Sequence, residues 1–287
     1  MRSQTAPLVA NSSLYNRSFL LAVLSQTSFV IANTLMAHFA RWVDFLGGDL
    51  RQIGYVMGAG AALGLVLRPT LAQGLNRLGA RRMWALGYLV FSLGALCNLG
   101  LSEIALPLYL ARATIVLGAA IVFASGLTYV AQTAPDERRT EAIGILGVGG
   151  FLGMLVGPPL GDFFLSSAER TRENFAALFL LAVAANAGAA LLLLFMRPPP
   201  HKLERVPLRV NDFVRSVRRY WPGNILVVDM AFGVCMTTPF IFVASFIDEL
   251  PLVLPGVTVI GLYFWCYAGV AIFLRFACRT LPDRVGP

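Results

Sequence analysis

The sequence predicts an all-α membrane protein, and three observations predict it. Of 287 residues, 57% are hydrophobic and 13% charged, with a mean hydropathy of +0.71. Soluble domains run near about 45–50% apolar and about 25% charged, so a water-soluble enzyme is excluded. Apolar runs recur along the whole chain, each close to the roughly 20 residues that cross a hydrocarbon layer of about 30 Å. Lysine and arginine fall in alternate linkers rather than on one surface, which disposes of nucleic acid as the partner of a chain carrying +8 net charge.

Eight runs are placed, at 18–40, 52–72, 83–101, 105–131, 140–162, 174–196, 224–247 and 257–278. The first is too long for the apolar region of a signal peptide and lacks a small-residue cleavage pattern, so it stays as an anchor. The linkers are short except for Arg197 to Gly223, which opens on Pro198-Pro199-Pro200 and carries Lys202, Arg205, Arg209, Arg215, Arg218 and Arg219. It divides the chain into a six-helix bundle (1–197), a basic central loop (198–223) and a partial second bundle of two helices (224–287).

Positive loops are retained in the cytoplasm. With the N-terminus inside, eighteen basic residues fall on that side and four outside, Arg41, Arg51, Arg170 and Arg172, which leaves Arg112 within a span. The predicted location is a cell membrane, the inner membrane of a bacterium, with both termini cytoplasmic.

The chain repeats itself at an offset of 207: Leu67-Arg68 and Arg77-Leu78-Gly79 match Leu274-Arg275 and Arg284-Val285-Gly286, and Asn76 faces Asp283. The first span lands on the seventh. Paired six-helix halves are a transporter architecture. The second copy reaches only the counterpart of Ala80, so the sequence reads as truncated after its eighth span.

Several polar and glycine positions stand out. The loop after the second span reads Asn76-Arg77-Leu78-Gly79-Ala80-Arg81-Arg82, a tight turn needing Gly79, with guanidinium groups able to bond helix-end carbonyls. Span five holds Gly144 and Gly153 with eight residues between them, then Gly157-Pro158 and Gly161; Gly149, Gly153, Gly157 and Gly161 line one side of a helix and permit close backbone contact. Arg112 and Asp229 are intramembrane charges, costly unless they face a wet cavity or a partner. Gln26 and Asn33, two helical turns apart, share a face. Phe264, Trp265 and Tyr267 offer rings to a ligand or anchor their helix. Asn98 and Asn186 suit helix–helix hydrogen bonds, and His38 is expected at the membrane interface. The four cysteines have no metal-ligand spacing, and neither a phosphate-cradling loop nor a nucleophile–base pair is present, so no metal, no cofactor and no enzymatic activity are expected.

These motifs resemble the major facilitator superfamily over essentially the whole length. The loop from Asn76 to Arg82 is similar to that family's Asp-Arg-x-Gly-Arg-Arg signature, with Asn76 in place of Asp and Ala80 shifting the paired arginines by one. Span five is similar to its antiporter signature, with Asp162 in place of the last glycine. The resemblance implies a proton-coupled carrier that exports small organic molecules, drug or sugar-like, by alternating access. Asp229 is a proton-carrying candidate on its own chemistry, as a carboxylate within a span; the resemblance assigns coupling to Arg112. It assigns a conformational-switch loop to Asn76, Arg77, Gly79, Arg81, Arg82 and their repeats Asp283, Arg284 and Gly286, and the moving helix contact to the span-five glycines. Lipid, a small-molecule substrate and protons are the expected partners. The alternative is a truncated, non-transporting membrane protein or interaction partner that keeps the first bundle, or a self-associating chain whose copies complete one another.

Overall fold

The computed structural model describes residues 14–165, 170–199, 215, 218–219, 221, 223–249 and 258–277. Among them are ten α-helices: α1 (Arg17–Leu35), α2 (Phe39–Phe45), α3 (Leu50–Val66), α4 (Arg68–Leu78), α5 (Ala80–Cys97), α6 (Leu106–Thr133), α7 (Arg139–Leu165), α8 (Arg172–Leu194), α9 (Asn224–Glu249) and α10 (Val259–Ala277). Among the described residues, seven spans are long and apolar enough to cross a membrane, and α3 with α4 makes an eighth if the bent pair counts as one. Helices are the expected solution in lipid, where each backbone polar group must be satisfied within its own segment.

Two spans differ from the sequence expectation. The first runs on past residue 40 to Phe45 and is interrupted by a 3-10 turn at Met36–His38. The second, expected as one run over 52–72, bends by 51° between α3 and α4. Pro69 causes the bend: it has no N–H for the Leu65 carbonyl, and its ring disfavours helical geometry at Arg68. The junction is re-tied by the Thr70 hydroxyl, which donates to the Leu67 carbonyl at 2.6 Å.

Local signals start and stop the elements. Asp49 and Gln52 form a capping box at the start of α3, the Gln52 N–H donating to Asp49 at 2.7 Å and the Asp49 N–H to Gln52 at 3.0 Å. Gly79 ends α4 and begins α5 at φ 79°, a left-handed conformation that disfavours any side chain. α1 and α9 begin at Arg17 and Asn224, the same 207-residue offset seen in the sequence.

Lipid gives helices no hydrophobic reason to associate, so small residues and interhelical hydrogen bonds hold the bundle. α1 is its centre, packed on α7 and α8, while α5 pairs with α6. Along α7 the four-residue glycine stripe lies against α1 of the same bundle. A Cβ on Gly149 would meet Thr27 Oγ1 at 2.9 Å, and one on Gly153 would meet Val30 Cβ at 2.7 Å. At Gly157 and Gly161 it would fall inside Thr34 and His38. Across the other face of α1, Ser25 and Ser28 donate to the Ala189 and Ala185 carbonyls of α8, each at 2.8 Å. Asn186 donates to the Tyr88 carbonyl at 2.7 Å and pairs with Ser92. Aromatic rings fill the core: Phe29, Phe39, Trp42, Trp84, Tyr88, Phe91, Tyr129, Phe175 and Phe179 are all buried.

Candidate functional site

The densest polar cluster sits at one end of the bundle, where α2, α7 and α9 converge. Arg41 on α2 is 4% exposed. Its Nη1 donates to Asp162 Oδ1 of α7 at 2.6 Å, and its Nε and Nη2 grip both oxygens of Asp248 on α9 at 2.9 and 2.7 Å. Arg170, in the segment before α8, reaches the same Asp248 at 2.8 Å. The bidentate fork makes this more than a point-charge contact.

His38 completes the cluster and is fully buried. Its Nδ1 lies 3.1 Å from Arg41 Nη1 and its Nε2 lies 2.9 Å from the Pro158 carbonyl. A guanidinium only donates and a carbonyl only accepts, so the ring is neutral with its proton on Nε2. The 3-10 turn at Met36–His38 brings His38 and Arg41 onto one side, facing α7. Arg41, expected outside the membrane core among the loop cations, is instead a buried helical residue with two carboxylates.

Above the cluster opens a cleft of about 310 Å³, lined by Asp44, Asp49, Asp248 and Glu249 around Arg41. Arg41 and Asp248 stand 207 positions apart, the offset of the sequence repeat. They occupy equivalent places in the two copies of the repeat.

The second seam joins α7 to α10, antiparallel. Pro159 has no N–H to offer the Leu155 carbonyl, and Trp265 donates its indole N–H there at 2.9 Å. Arg275 lies over Phe151 at 5.2 Å and fills the space beside Gly147, while Phe151 packs on Tyr267. Trp265 therefore acts in helix contact. Phe264 is 1% exposed, in a cluster with Ala37, Val243, Ala244 and Ile260 that ties α9 and α10 to the first span; it is a packed core residue and not a cavity wall. Tyr267 is half-buried and stacked on Tyr263. The glycine stripe faces α1, so the contact of α7 with the second bundle is made by Gly147, Phe151, Leu155 and Pro159 instead. Gly144 faces open space.

Arg112 on α6 has no carboxylate partner among the described residues. Its guanidinium lies 4.8 Å from the centre of the Phe39 ring, its stem passes Gly60 of α3, and its Nε is buried without a hydrogen bond. Gly118, six residues on, lets the Phe91 backbone press against α6. Asp229 lies on an exposed flank of α9, without an ion pair among the described residues. Gln26 is buried beside Gly126 with its Oε1 unpaired, and Asn33 is half-buried.

At the opposite end, Arg81 donates to the Leu193 and Leu194 carbonyls at 3.0 and 3.2 Å, capping the last turn of α8. Arg77 and Arg82 are exposed and Asn76 half-buried. Asp283, Arg284 and Gly286, the repeat of this loop, lie outside the described residues, as does most of the basic central loop.

The fold and its junctions define a class: a multi-span helical membrane protein whose polar groups are concentrated where helices from the two ends of the sequence meet. The chain belongs to the Major Facilitator Superfamily, a family of membrane transporters and not of enzymes, whose sequence profile matches residues 8–287. Its fold is similar to that of a D-xylose-proton symporter, with a TM-score of 0.67 at 13% identity over 95% of this chain and 70% of that one. In sequence it is 27% identical over 186 residues to Multidrug resistance protein 2 of Bacillus subtilis (strain 168), covering 63% of this chain and 46% of that protein. It is 24% identical over 169 residues to a probable sugar efflux transporter of Pasteurella multocida (strain Pm70), covering 59% of this chain and 40% of that protein. The chain thus spans less than half the length of either relative.

Proposed function

We propose that the protein works as a proton-coupled exporter of small organic molecules by alternating access, with the Arg81 end in the cytoplasm and the Arg41 end outside. The observation that carries this reading is the Arg41 bridge. It ties the first span, α7 and α9 together at one end only. The opposite half of α9, including Ile225, Val228 and Phe232, is exposed. A polar junction between the two halves that can be made and broken at one end, while α10 stays packed along α7 as far as Arg275, suits a rocking carrier. The arginine bias of the loops supports the orientation, and the names of the drug and sugar efflux relatives support the substrate class.

Coupling is assigned to the bridge. Asp162 and Asp248 share one guanidinium, so neutralising either carboxylate would weaken the attraction that holds the outer end shut. The acidic cleft above them concentrates cations at that entrance. Arg112, whose buried guanidinium lacks an acidic partner, is assigned to an anionic or hydrogen-bond-accepting group of the substrate, and Asp229 has no part in this scheme.

The test is flux in proteoliposomes. Ethidium or labelled arabinose should move against its gradient when a pH difference is imposed, and Asp162→Asn should flatten the pH dependence while leaving facilitated exchange. Flux that ignores the imposed proton gradient overturns proton coupling; cysteine labelling that places residues 77 and 215 on opposite sides overturns the orientation.

A further inference from the structure

The motif loop bounds a second feature that the transport scheme leaves unused. Between α4, α5 and α8, at the Arg81 end, lies a cleft of about 540 Å³. Among the described residues, its titratable lining is Arg77, Arg81 and Arg82, and its floor is apolar, formed by side chains such as Ala85, Ala190 and Leu193. We infer that this cleft binds one anionic phospholipid, with its phosphate between Arg77 and Arg82 and its acyl chains along α5 and α8.

The division of labour among the arginines supports this. Arg81 spends its guanidinium on the last carbonyls of α8 and so builds the wall. Arg77 and Arg82 are exposed and have no ion pair or hydrogen bond among the described residues, which leaves two cations free at the mouth. Among the described residues, no carboxylate lines the cleft to compete for them.

The apolar surroundings select a lipid over a free anion. Leu86 and Leu89 of α5 and Leu194 at the end of α8 are exposed beside the arginines, 38%, 56% and 66% respectively. A hydrated ion has no use for such a surface, whereas two acyl chains do. The position suits the ligand, because the cleft lies where the spans α5 and α8 begin or end. Basic pockets between spans at a membrane surface are suited to anionic head groups, each arginine adding attraction to a negative lipid.

Native mass spectrometry of the full chain, released from micelles containing phosphatidylglycerol and phosphatidylcholine, tests the site. One phosphatidylglycerol should be retained, about 10- to 30-fold tighter than phosphatidylcholine, the gain expected from two arginines. Arg77→Gln with Arg82→Gln should abolish that preference, Arg77→Lys with Arg82→Lys should keep most of it, and Arg51→Gln at the other end should change nothing. Equal retention of the two lipids, a preference that survives the double glutamine variant, or displacement of the lipid by millimolar inorganic phosphate would each overturn the inference.

Discussion

Two arginines, Arg41 and Arg112, sit on helices of the same bundle, yet their surroundings are opposite. Arg41 is held by two carboxylates, by His38 and indirectly by Arg170. Arg112 has an aromatic face and a buried, unpaired Nε. By position in the sequence, Arg112 looked the more costly charge, since it lies inside a run while Arg41 lies at the edge of one. The difference teaches that the meaning of an intramembrane charge is set by what other segments deliver to it. Arg41 fastens three segments together, whereas Arg112 packs on an aromatic ring with no carboxylate partner among the described residues.

Substitutions sharpen that contrast. Arg41→Gln should have the largest effect, a loss of about 3–5 kcal/mol, because it strands the buried carboxylate of Asp162. Thermal unfolding in detergent measures it, and adding Asp162→Asn and Asp248→Asn should restore most of the loss. A single variant as stable as the parent would show that the bridge fastens nothing.

Next in size is the first seam of α7. Gly157→Val should cost about 1–3 kcal/mol by overpacking against Thr34, whereas Gly144→Ala, facing open space, should stay within about 0.5 kcal/mol. Equal effects at the two positions would break the assignment of the stripe to α1. Trp265→Phe should cost about 1 kcal/mol, the net value of one interhelical hydrogen bond. The loss should vanish in a chain already carrying Pro159→Ala, because the restored N–H takes back the Leu155 carbonyl. The smallest effect on stability is expected for Arg112→Met, within about 1 kcal/mol and of either sign, since no partner is stranded. A loss comparable to that of Arg41→Gln would reveal a counter-charge for Arg112 and erase the distinction between the two residues.

Much of the fold was legible because lipid imposes length and composition on every span. The eight runs, the turn at Gly79 and the close-packing stripe on α7 each follow from a local rule. The bend at Leu67 was also written locally, in Arg68-Pro69, but the apolar run continued through it and hid it. The Arg41 cluster was not legible in the same way. Its members stand at 41, 162 and 248, each near the end of a run where a loop charge is ordinary, and only folding brings them together. Two signals pointed to it all the same: Asp162 is the one departure from the glycine pattern of span five, and Arg41 and Asp248 are separated by the repeat offset. Phe264 was ambiguous for the opposite reason, because an aromatic residue in a span has the same spacing whether it lines a cavity or fills a core.

The meeting of Arg41 with Asp248 also bears on which pairs of halves can form. Two copies of the first bundle set face to face at this place would bring Arg41 against a second Arg41, whereas the repeat presents Asp248 there; divergence in sign at one repeat position turns a repulsion into an ion pair.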